Sequence, residues 1–287
     1  MKVFFRIPAM FLLCLLFFSG PQAYASGPVN DGYISSILRI YEKKRTLGEW
    51  EVMGLAANGR KVPNRYFNAV NKKMKENDGE FRLVTDCART ATAYAMAGKD
   101  PARAGKYNIL NGIYQRDDLG SQGLNGYVWS LIAIGGRPQP AAAKWTGQSI
   151  AAEILKFQAE DGGFSLVLKR KAADSSSDRF DMTCMAITAL SRHADNAKTK
   201  EAITKAFAYL EQNSDQAFLY SESISQYIIA ACAVNGKPPE GLIEALYAFR
   251  LSDGRFSHTA GGEADNMATE QALLAMTAFK TGGYVYE

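Results

Sequence analysis

Three carboxylic acids lie near the predicted starts of three helices in the C-terminal half of the sequence. They are Asp181 in "FDMTCMAITAL", Glu222 in "SESISQYIIAA" and Glu270 in "NMATEQALLAM". If these helices run parallel, the acids meet at one end of the bundle, where paired carboxylates could act as general acid and base on a glycan. The alternative is structural, because an acid near a helix start stabilises the helix dipole and caps unpaired amides.

Two polar side chains lie deeper in these helices than a cap requires. Gln226 follows Glu222 by four residues, and Glu270 follows Asn266 by four, which is just over one helical turn. We interpret Asn266 as part of a cap region and the deeper groups as the lining of a cavity. An isolated buried carboxylate is too unfavourable, so Glu270 faces either water or a partner, and Arg89 is the candidate partner.

Aromatic residues near other helix starts complete the predicted site. Trp50, Tyr127 and Trp129 could stack on a ligand, and the alternative is that they fill the core. The predicted ligand-binding residues are Trp50, Arg89, Tyr127, Trp129, Asp181, Glu222, Gln226, Asn266 and Glu270. No catalytic residue is expected in a binding protein; in an enzyme, Asp181, Glu222 and Glu270 would be the candidates.

The sequence lacks the usual signatures of a metal centre or a serine hydrolase. Without the N-terminal segment it retains only His193 and His258, and no Gly-x-Ser-x-Gly motif is present. We therefore expect no metal and no cofactor.

Recurring helix-stop and turn motifs divide the chain into helices. The strings "AMAGKDP", "AIGGRPQP" and "AVNGKPP" each end an apolar run with Gly, a cation and Pro, which is typical of a helix stop. A second signal, as in "AEDGGF" and "LSDGRF", alternates with it. Together they predict six helix pairs: 31–44 with 47–58, 63–76 with 86–97, 102–115 with 125–135, 146–158 with 181–193, 199–212 with 221–235, and 239–250 with 266–280.

The two helices of a pair differ in polarity. First helices such as "NRYFNAVNKKMKEN" have a charged face, whereas second helices such as "ESISQYIIAACAV" are nearly uncharged and should be buried. This predicts an all-α fold, an (α/α)6 toroid with inner and outer helix rings, formed by residues 26–287 as one domain. A closed ring also requires 31–44 to pack against 239–280; a linear solenoid is the alternative.

The N-terminus and the overall charge limit location and partners. "MKVFFR", the apolar "IPAMFLLCLLFFSG" and the small residues of "AYA" predict a signal peptide, residues 1–25, and hence a secreted, extracellular or cell-envelope protein. An uncleaved anchor is the alternative. Loss of Lys2 and Arg6 lowers the formal charge from +4 to +2. So weak a charge predicts no nucleic-acid partner and no strong attraction to membranes. No stable membrane anchor is expected after cleavage. Cys87, Cys184 and Cys232 are expected in the core, with one disulfide left open.

Several motifs resemble a known superfamily. "LKFQAEDGGFS" resembles the Gln…Gly-Phe/Trp turn of prenyltransferase and squalene-cyclase repeats, within the α/α-toroid superfamily. "FDMTCMAITAL", "SESISQYIIAA" and "NMATEQALLAM" are similar to bacterial secreted toroid domains related to transcobalamin and intrinsic factor, most clearly over 146–280. The resemblance implies the toroid fold and says little about activity, because this fold carries enzymes, binding proteins and thioester modules.

The chemistries of these relatives find no match. The Asp-rich acid motif of terpene cyclases is replaced by "SDRFDMT", with Asp178 and Asp181 three apart. The zinc ligands of prenyltransferases are not matched, since Cys184 lies three residues after Asp181 and the third-ligand region reads "NMATEQ". The thioester run Cys-Gly-Glu-Gln is absent. Transcobalamin-like proteins hold cobalamin against a C-terminal β-domain, so cobalamin binding is expected to need a separate β-domain partner here.

The sequence therefore predicts a secreted, non-catalytic toroid that binds a small molecule or a partner protein at a polar mouth. The alternatives are a glycan- or terpenoid-acting enzyme, and cobalamin binding with a separate partner.

Overall fold

A computed structural model describes residues 29–168 and 177–287. The predicted signal peptide, 1–25, and residues 169–176 of the linker between the fourth pair of helices lie outside the described residues. Within the described ranges the chain is all-α, as predicted, with twelve α-helices and one two-stranded antiparallel ribbon.

The helices follow the predicted alternation. The first helices of the pairs are α1 (Asp31–Lys43), α3 (Asn64–Glu76), α5 (Asn111–Tyr114), α7 (Gly147–Leu155), α9 (Ala197–Ala217) and α11 (Leu242–Tyr247). The second helices are α2 (Glu49–Ala57), α4 (Val84–Met96), α6 (Leu124–Ile134), α8 (Ser177–Leu190), α10 (Ser221–Asn235) and α12 (Asn266–Thr281). Strands β1 (Phe256–Ser257) and β2 (Ala264–Asp265) pair just before α12.

The predicted helix stops are confirmed. Each glycine of the Gly-cation-Pro strings has a positive φ, between 66° and 75°: Gly59, Gly98, Gly136 and Gly236. At the end of α10 the amide of Gly236 donates to the carbonyl of Cys232, which satisfies one of the terminal carbonyls.

Several predicted boundaries were wrong, among them the end of α9, which lies at Ala217 and not at 212. The helix expected over 102–115 is reduced to α5, because Gly105 has a φ of +64° and the Asn108 side chain accepts from the amide of Leu110. The helix expected over 239–250 begins only at Leu242, after Gly241 in the left-handed region. Helix α8 begins four residues earlier than predicted, so Asp181 lies a full turn inside it.

The "EDGGF" turn ties three helices together. Gln158 donates to the carbonyls of Gly162 and Ala202, at 2.9 and 2.8 Å, which holds the turn against α9. Asp161 accepts from the guanidinium of Arg179 on α8, which is 3% exposed. Gly162 has a φ of +91°, and a Cβ there would lie 2.3 Å from the carbonyl oxygen of Lys205, so only glycine fits.

The second helices contact one another in chain order. Helix α2 packs on α4, α4 on α6, α6 on α8, α8 on α10 and α10 on α12, and α12 packs on α2. The first and last pairs also meet, as predicted: Lys280 binds Asp31 at 2.6 Å, and the Tyr247 hydroxyl accepts from the amide of Asn30 at 3.1 Å.

Burial separates the two kinds of helix. Every residue of α10 from Ser221 to Cys232 is buried, whereas α3 buries only Tyr66, Phe67, Val70 and Met74. The three cysteines of the described chain are buried and free, as the core interpretation predicted. Burial raises the pKa of the Cys87 thiol to about 12, so this thiol is neutral and unreactive at ordinary pH.

Candidate functional site

The second helices begin at the same end of the bundle. Gln122, just before α6, accepts from the amide of Thr85 at the start of α4, at 3.1 Å. Leu166, which precedes α8, accepts through its carbonyl from the amide of Leu124 at the start of α6. His258, which precedes α12, likewise accepts from the amide of Ser221 at the start of α10. We call this end of the bundle the mouth.

Asp181 is a partly buried acid at the mouth. The pKa of its carboxyl is raised to about 7, mainly by burial and in part by the charges of Glu222 and Asp178. The Ser223 hydroxyl and His258 oppose that rise, although Ser223 is outside hydrogen-bonding geometry. The Oδ1 atom of Asp181 is buried and has no hydrogen-bond partner among the described residues. Asp181 therefore keeps its proton to a higher pH than an ordinary carboxyl and has one buried oxygen free to accept or donate a hydrogen bond.

Glu222 is held by a histidine that the sequence reasoning missed. The carboxylate is 7% exposed, and the Nδ1 of His258 lies 2.9 Å from its Oε2. A carboxylate only accepts, so Nδ1 of His258 is the donor in this contact. The ring of His258 lies 4.8 Å from that of Tyr220 and is more than half exposed. The only hint of this role in the sequence was that histidine is rare. Helical periodicity could not relate His258 to Glu222, because the two residues are 36 positions apart.

Glu270 has different charged neighbours from Asp181. The pKa of its carboxyl is raised to about 7, mainly by burial and in part by the nearby Glu51 carboxylate, while the charge of Lys44 opposes the rise. Lys44 is itself paired with Glu51, which is 3% exposed. The predicted candidate partner, Arg89, instead donates to Asp86 at 2.8 Å. The structure therefore does not bring Arg89 to Glu270.

The two predicted tryptophans meet, whereas the predicted tyrosine faces elsewhere. Trp50 packs edge-to-face on Trp129, with ring centroids 5.1 Å apart, and both α2 and α6 pack on α4 between them. Trp129, which is 2% exposed, also contacts Tyr286 near the chain end, at 5.7 Å. Trp50 is only partly buried.

Tyr127 contacts Trp145 and Phe157, at 5.8 and 5.9 Å, and so lies between α6 and the segments that flank α7. It stands apart from the two tryptophans.

Gln226 and Asn266 also have defined surroundings. The Gln226 amide donates to the Gln271 side chain at 3.1 Å, which links α10 to α12 in a buried setting. Asn266 is exposed, and the capping group of α12 is its neighbour Asp265, whose side chain accepts from the amide of Ala268 at 2.9 Å. Gln226 thus joins two helices, and Asn266 leaves its side chain to solvent at the mouth.

Buried polar atoms without hydrogen-bond partners recur on three consecutive second helices. Those on second helices belong to Asn125 and Ser130 on α6, Asp181 on α8, and Ser223 and Ser225 on α10. Six further unpaired atoms of the described ranges lie outside these helices, on Tyr41, Tyr66, Tyr114, His193, Glu244 and Arg250. All three serines are fully buried. A buried polar atom left unpaired is unfavourable by about 1–3 kcal/mol, so a group of them calls for water or a ligand.

Exposed apolar side chains border the same end. Met267 in the first turn of α12 is 56% exposed, and Leu219 just before α10 is 62% exposed. Leu166, Val167 and Leu168 lie exposed beside the start of α6, where the carbonyl of Leu166 accepts from Leu124. An exposed apolar border beside buried polar groups is typical of a binding surface.

Across the described ranges, no three His, Cys, Asp or Glu side chains form a candidate metal site. No helix in those ranges is both long enough and apolar enough to cross a membrane. The comparisons with known proteins add no relative: no family model, no curated protein and no solved structure matches the chain.

Proposed function

We propose that the six helix pairs form an (α/α)6 toroid, with α2, α4, α6, α8, α10 and α12 as the inner ring. The order of helix contacts supports this architecture, since each second helix packs on the next and α12 returns to α2. The contrast between the buried α10 and the half-exposed α3 is the contrast expected of inner and outer rings.

We propose that this protein binds a small molecule or a partner protein at the mouth, without catalysis. The observation that carries the proposal is the set of buried, unpaired polar atoms on α6, α8 and α10. Hydrogen-bonding groups on a ligand would relieve their desolvation, and the exposed apolar side chains of Met267, Leu219 and 166–168 would cover its apolar part. The predicted signal peptide adds the proposal that binding takes place outside the cytoplasm.

The surroundings of the three acids favour binding over glycan chemistry. The carboxylate of Glu222 already contacts His258. Glu270 lies near Glu51 and Lys44, and Asp181 lies near Glu222. A glycosidase needs two carboxyl groups facing one bond, one to donate a proton and one to attack or activate water.

Native mass spectrometry of the protein purified from its own host tests the binding proposal. We expect a retained small molecule or protein partner, and a lower occupancy in the double variant Ser223→Ala, Ser225→Ala. Ser191→Ala, which removes a hydroxyl at the opposite end of α8, is the matched control and should retain the ligand. Wild-type protein that carries nothing, or equal loss in both variants, would contradict the proposal.

A second candidate is an enzyme that uses acid–base chemistry on a glycan or a terpenoid. One observation favours it: an acid with a pKa of about 7, Asp181, lies near a histidine whose Nδ1 is bound by a buried carboxylate. In this case His258→Gln and Asp181→Asn should each abolish turnover of a glycan or terpenoid substrate while leaving the fold intact. Turnover that survives both substitutions would rule the candidate out.

A further inference from the structure

The chain as a whole has a small net charge, but one segment of it is strongly basic. Residues 60–106 contain eleven Lys or Arg against five Asp or Glu, a formal charge of +6, whereas the whole sequence carries +4. Ten of these cations are exposed: Arg60, Lys61, Arg65, Lys72, Lys73, Lys75, Arg82, Lys99, Arg103 and Lys106. A polyanion would therefore meet a local field that the net charge does not reveal.

The exposed cations lie on one continuous surface around α3. Lys99, after α4, reaches back so that its ammonium lies 5.6 Å from the Phe67 ring on α3. At the other end of the helix, the Phe81 ring lies 5.2 Å from the ammonium of Lys73. The ring of Tyr107 lies against Gly79, where a Cβ would approach it to 2.6 Å. The segments 60–61, 79–82 and 98–107 thus surround α3, and we call this surface the basic face.

The cations of the basic face are only weakly neutralised. Lys72 and Glu76 are 3.7 Å apart, and Arg103 and Asp100 are 3.6 Å apart, with all four side chains more than half exposed. Such surface pairs contribute little and are screened by salt. The positive charges therefore remain available to an anionic partner.

We propose that the basic face binds the anionic lipid surface of a bilayer. Ten cations spread over a helix and the segments around it match a plane of many headgroups. The large exposed apolar side chains of the described chain all lie outside 60–106, so the attachment is electrostatic and requires no insertion. The aromatic rings here, Phe67, Phe81 and Tyr107, lie beneath lysines, which leaves no open ring to stack on nucleic-acid bases.

Co-sedimentation with lipid vesicles tests this proposal. The full chain is mixed with phosphatidylcholine vesicles that contain either no anionic lipid or about one-third phosphatidylglycerol. We expect binding to the anionic vesicles only, and its loss as sodium chloride rises from about 0.05 M to about 0.5 M, because the Debye length falls below about 5 Å. Each surface lysine changes partition by about fivefold, the equivalent of about 1 kcal/mol.

Two matched triple variants locate the binding surface. Lys72→Glu, Lys73→Glu, Lys75→Glu on α3 should lower the partition coefficient at least about 100-fold, because three lysines are lost at about fivefold each. Lys198→Glu, Lys200→Glu, Lys205→Glu on α9 changes the net charge equally on another exposed helix and should alter it by less than about twofold. The neutral variant Lys72→Gln, Lys73→Gln, Lys75→Gln should lie between, and circular dichroism checks that each variant is folded.

Three results would overturn the proposal. One is failure of the wild-type protein to bind anionic vesicles at low salt. Another is equal loss in the α3 and α9 variants, which would mean that net charge alone drives adsorption. The last is tighter binding to duplex DNA than to the vesicles at the same salt concentration, which would assign the basic face to nucleic acid.

Discussion

Asp181 and Glu270 are two partly buried acids at the same end of the bundle, with pKa values both raised to about 7 and with different neighbours. Asp181 lies near Glu222 and His258 and has a buried oxygen without a hydrogen-bond partner in the described chain. Glu270 is less buried and lies beside Glu51, whose own charge is balanced by Lys44. Similar pKa values can therefore arise from different surroundings. The neighbours of each acid, and not its pKa, indicate its role.

The largest expected effect is a pH-dependent gain in stability for Asp181→Asn. The native pKa of Asp181 is raised from 3.8 to about 7, so the unfolded chain releases this proton first as the pH rises. The stability that the neutral acid provides is complete below pH ~4 and is lost between pH ~4 and ~7, by up to about 4 kcal/mol. Asparagine does not ionise, so the variant should match the wild type near pH 4 and exceed it by about 2–4 kcal/mol at pH ~8.

Urea unfolding at several pH values measures this difference. Asp215→Asn, which changes an exposed acid on α9 that does not act on Asp181, is the control and should follow the wild-type curve. Equal loss of stability in Asp181→Asn at every pH would mean that the carboxylate makes a bond that asparagine cannot replace.

A smaller effect is expected on the Glu270 side, from Lys44→Met. The Glu51 carboxylate is 4% exposed and would keep the amide of Gly48 as a donor but lose its cation. Leaving a buried charge without its partner should destabilise the fold by about 2 kcal/mol, less than for a fully buried pair because Lys44 is partly exposed. The charge of Lys44 also holds down the pKa of Glu270, which should rise further in the variant.

Thermal unfolding, with carbon-13 NMR titration of the glutamate carboxyls, checks both expectations. Lys43→Met, at an exposed neighbouring position, should change neither quantity. An unchanged Glu270 pKa in Lys44→Met would show that Glu270 is not electrostatically coupled to the Lys44–Glu51 pair.

The smallest effect is expected for Glu270→Gln itself. Its pKa is raised from 4.5 to about 7, so the sign is the same as for Asp181, with stability lost as the pH rises through that window. Because solvent reaches this side chain, the gain at pH ~8 should stay within about 1 kcal/mol. Differential scanning calorimetry at pH ~4 and pH ~8 measures it, and a loss of about 3 kcal/mol would instead identify Glu270 as half of a buried ion pair.

The helix pairs could be predicted where the signal that ends a helix lies in the residues at its end. Glycine at a left-handed position ends a helix through its own backbone, so Gly59, Gly98 and Gly236 reveal the stops directly. The prediction failed over 102–115, where Gly105 and the Asn108 side chain break the helix although the apolar spacing suggests one. Local hydrogen bonds from short polar side chains compete with the helix and leave little trace in periodicity.

The sequence by itself determined which side chains stand near the start of each buried helix. A period of 3.6 residues and an uncharged stretch fix depth and burial, which is why Asp181, Glu222 and Glu270 were identified as one group. Only the tertiary structure decided their partners. It placed His258 on Glu222 and Lys44 on Glu51. The Asp86–Arg89 pair within α4 and the different faces of Tyr127 and Trp129 within α6 follow from the helical period itself. The physical reason is that a helical period fixes the face of a residue within its own helix, whereas partners that reach it from loops and neighbouring helices depend on how the whole chain packs.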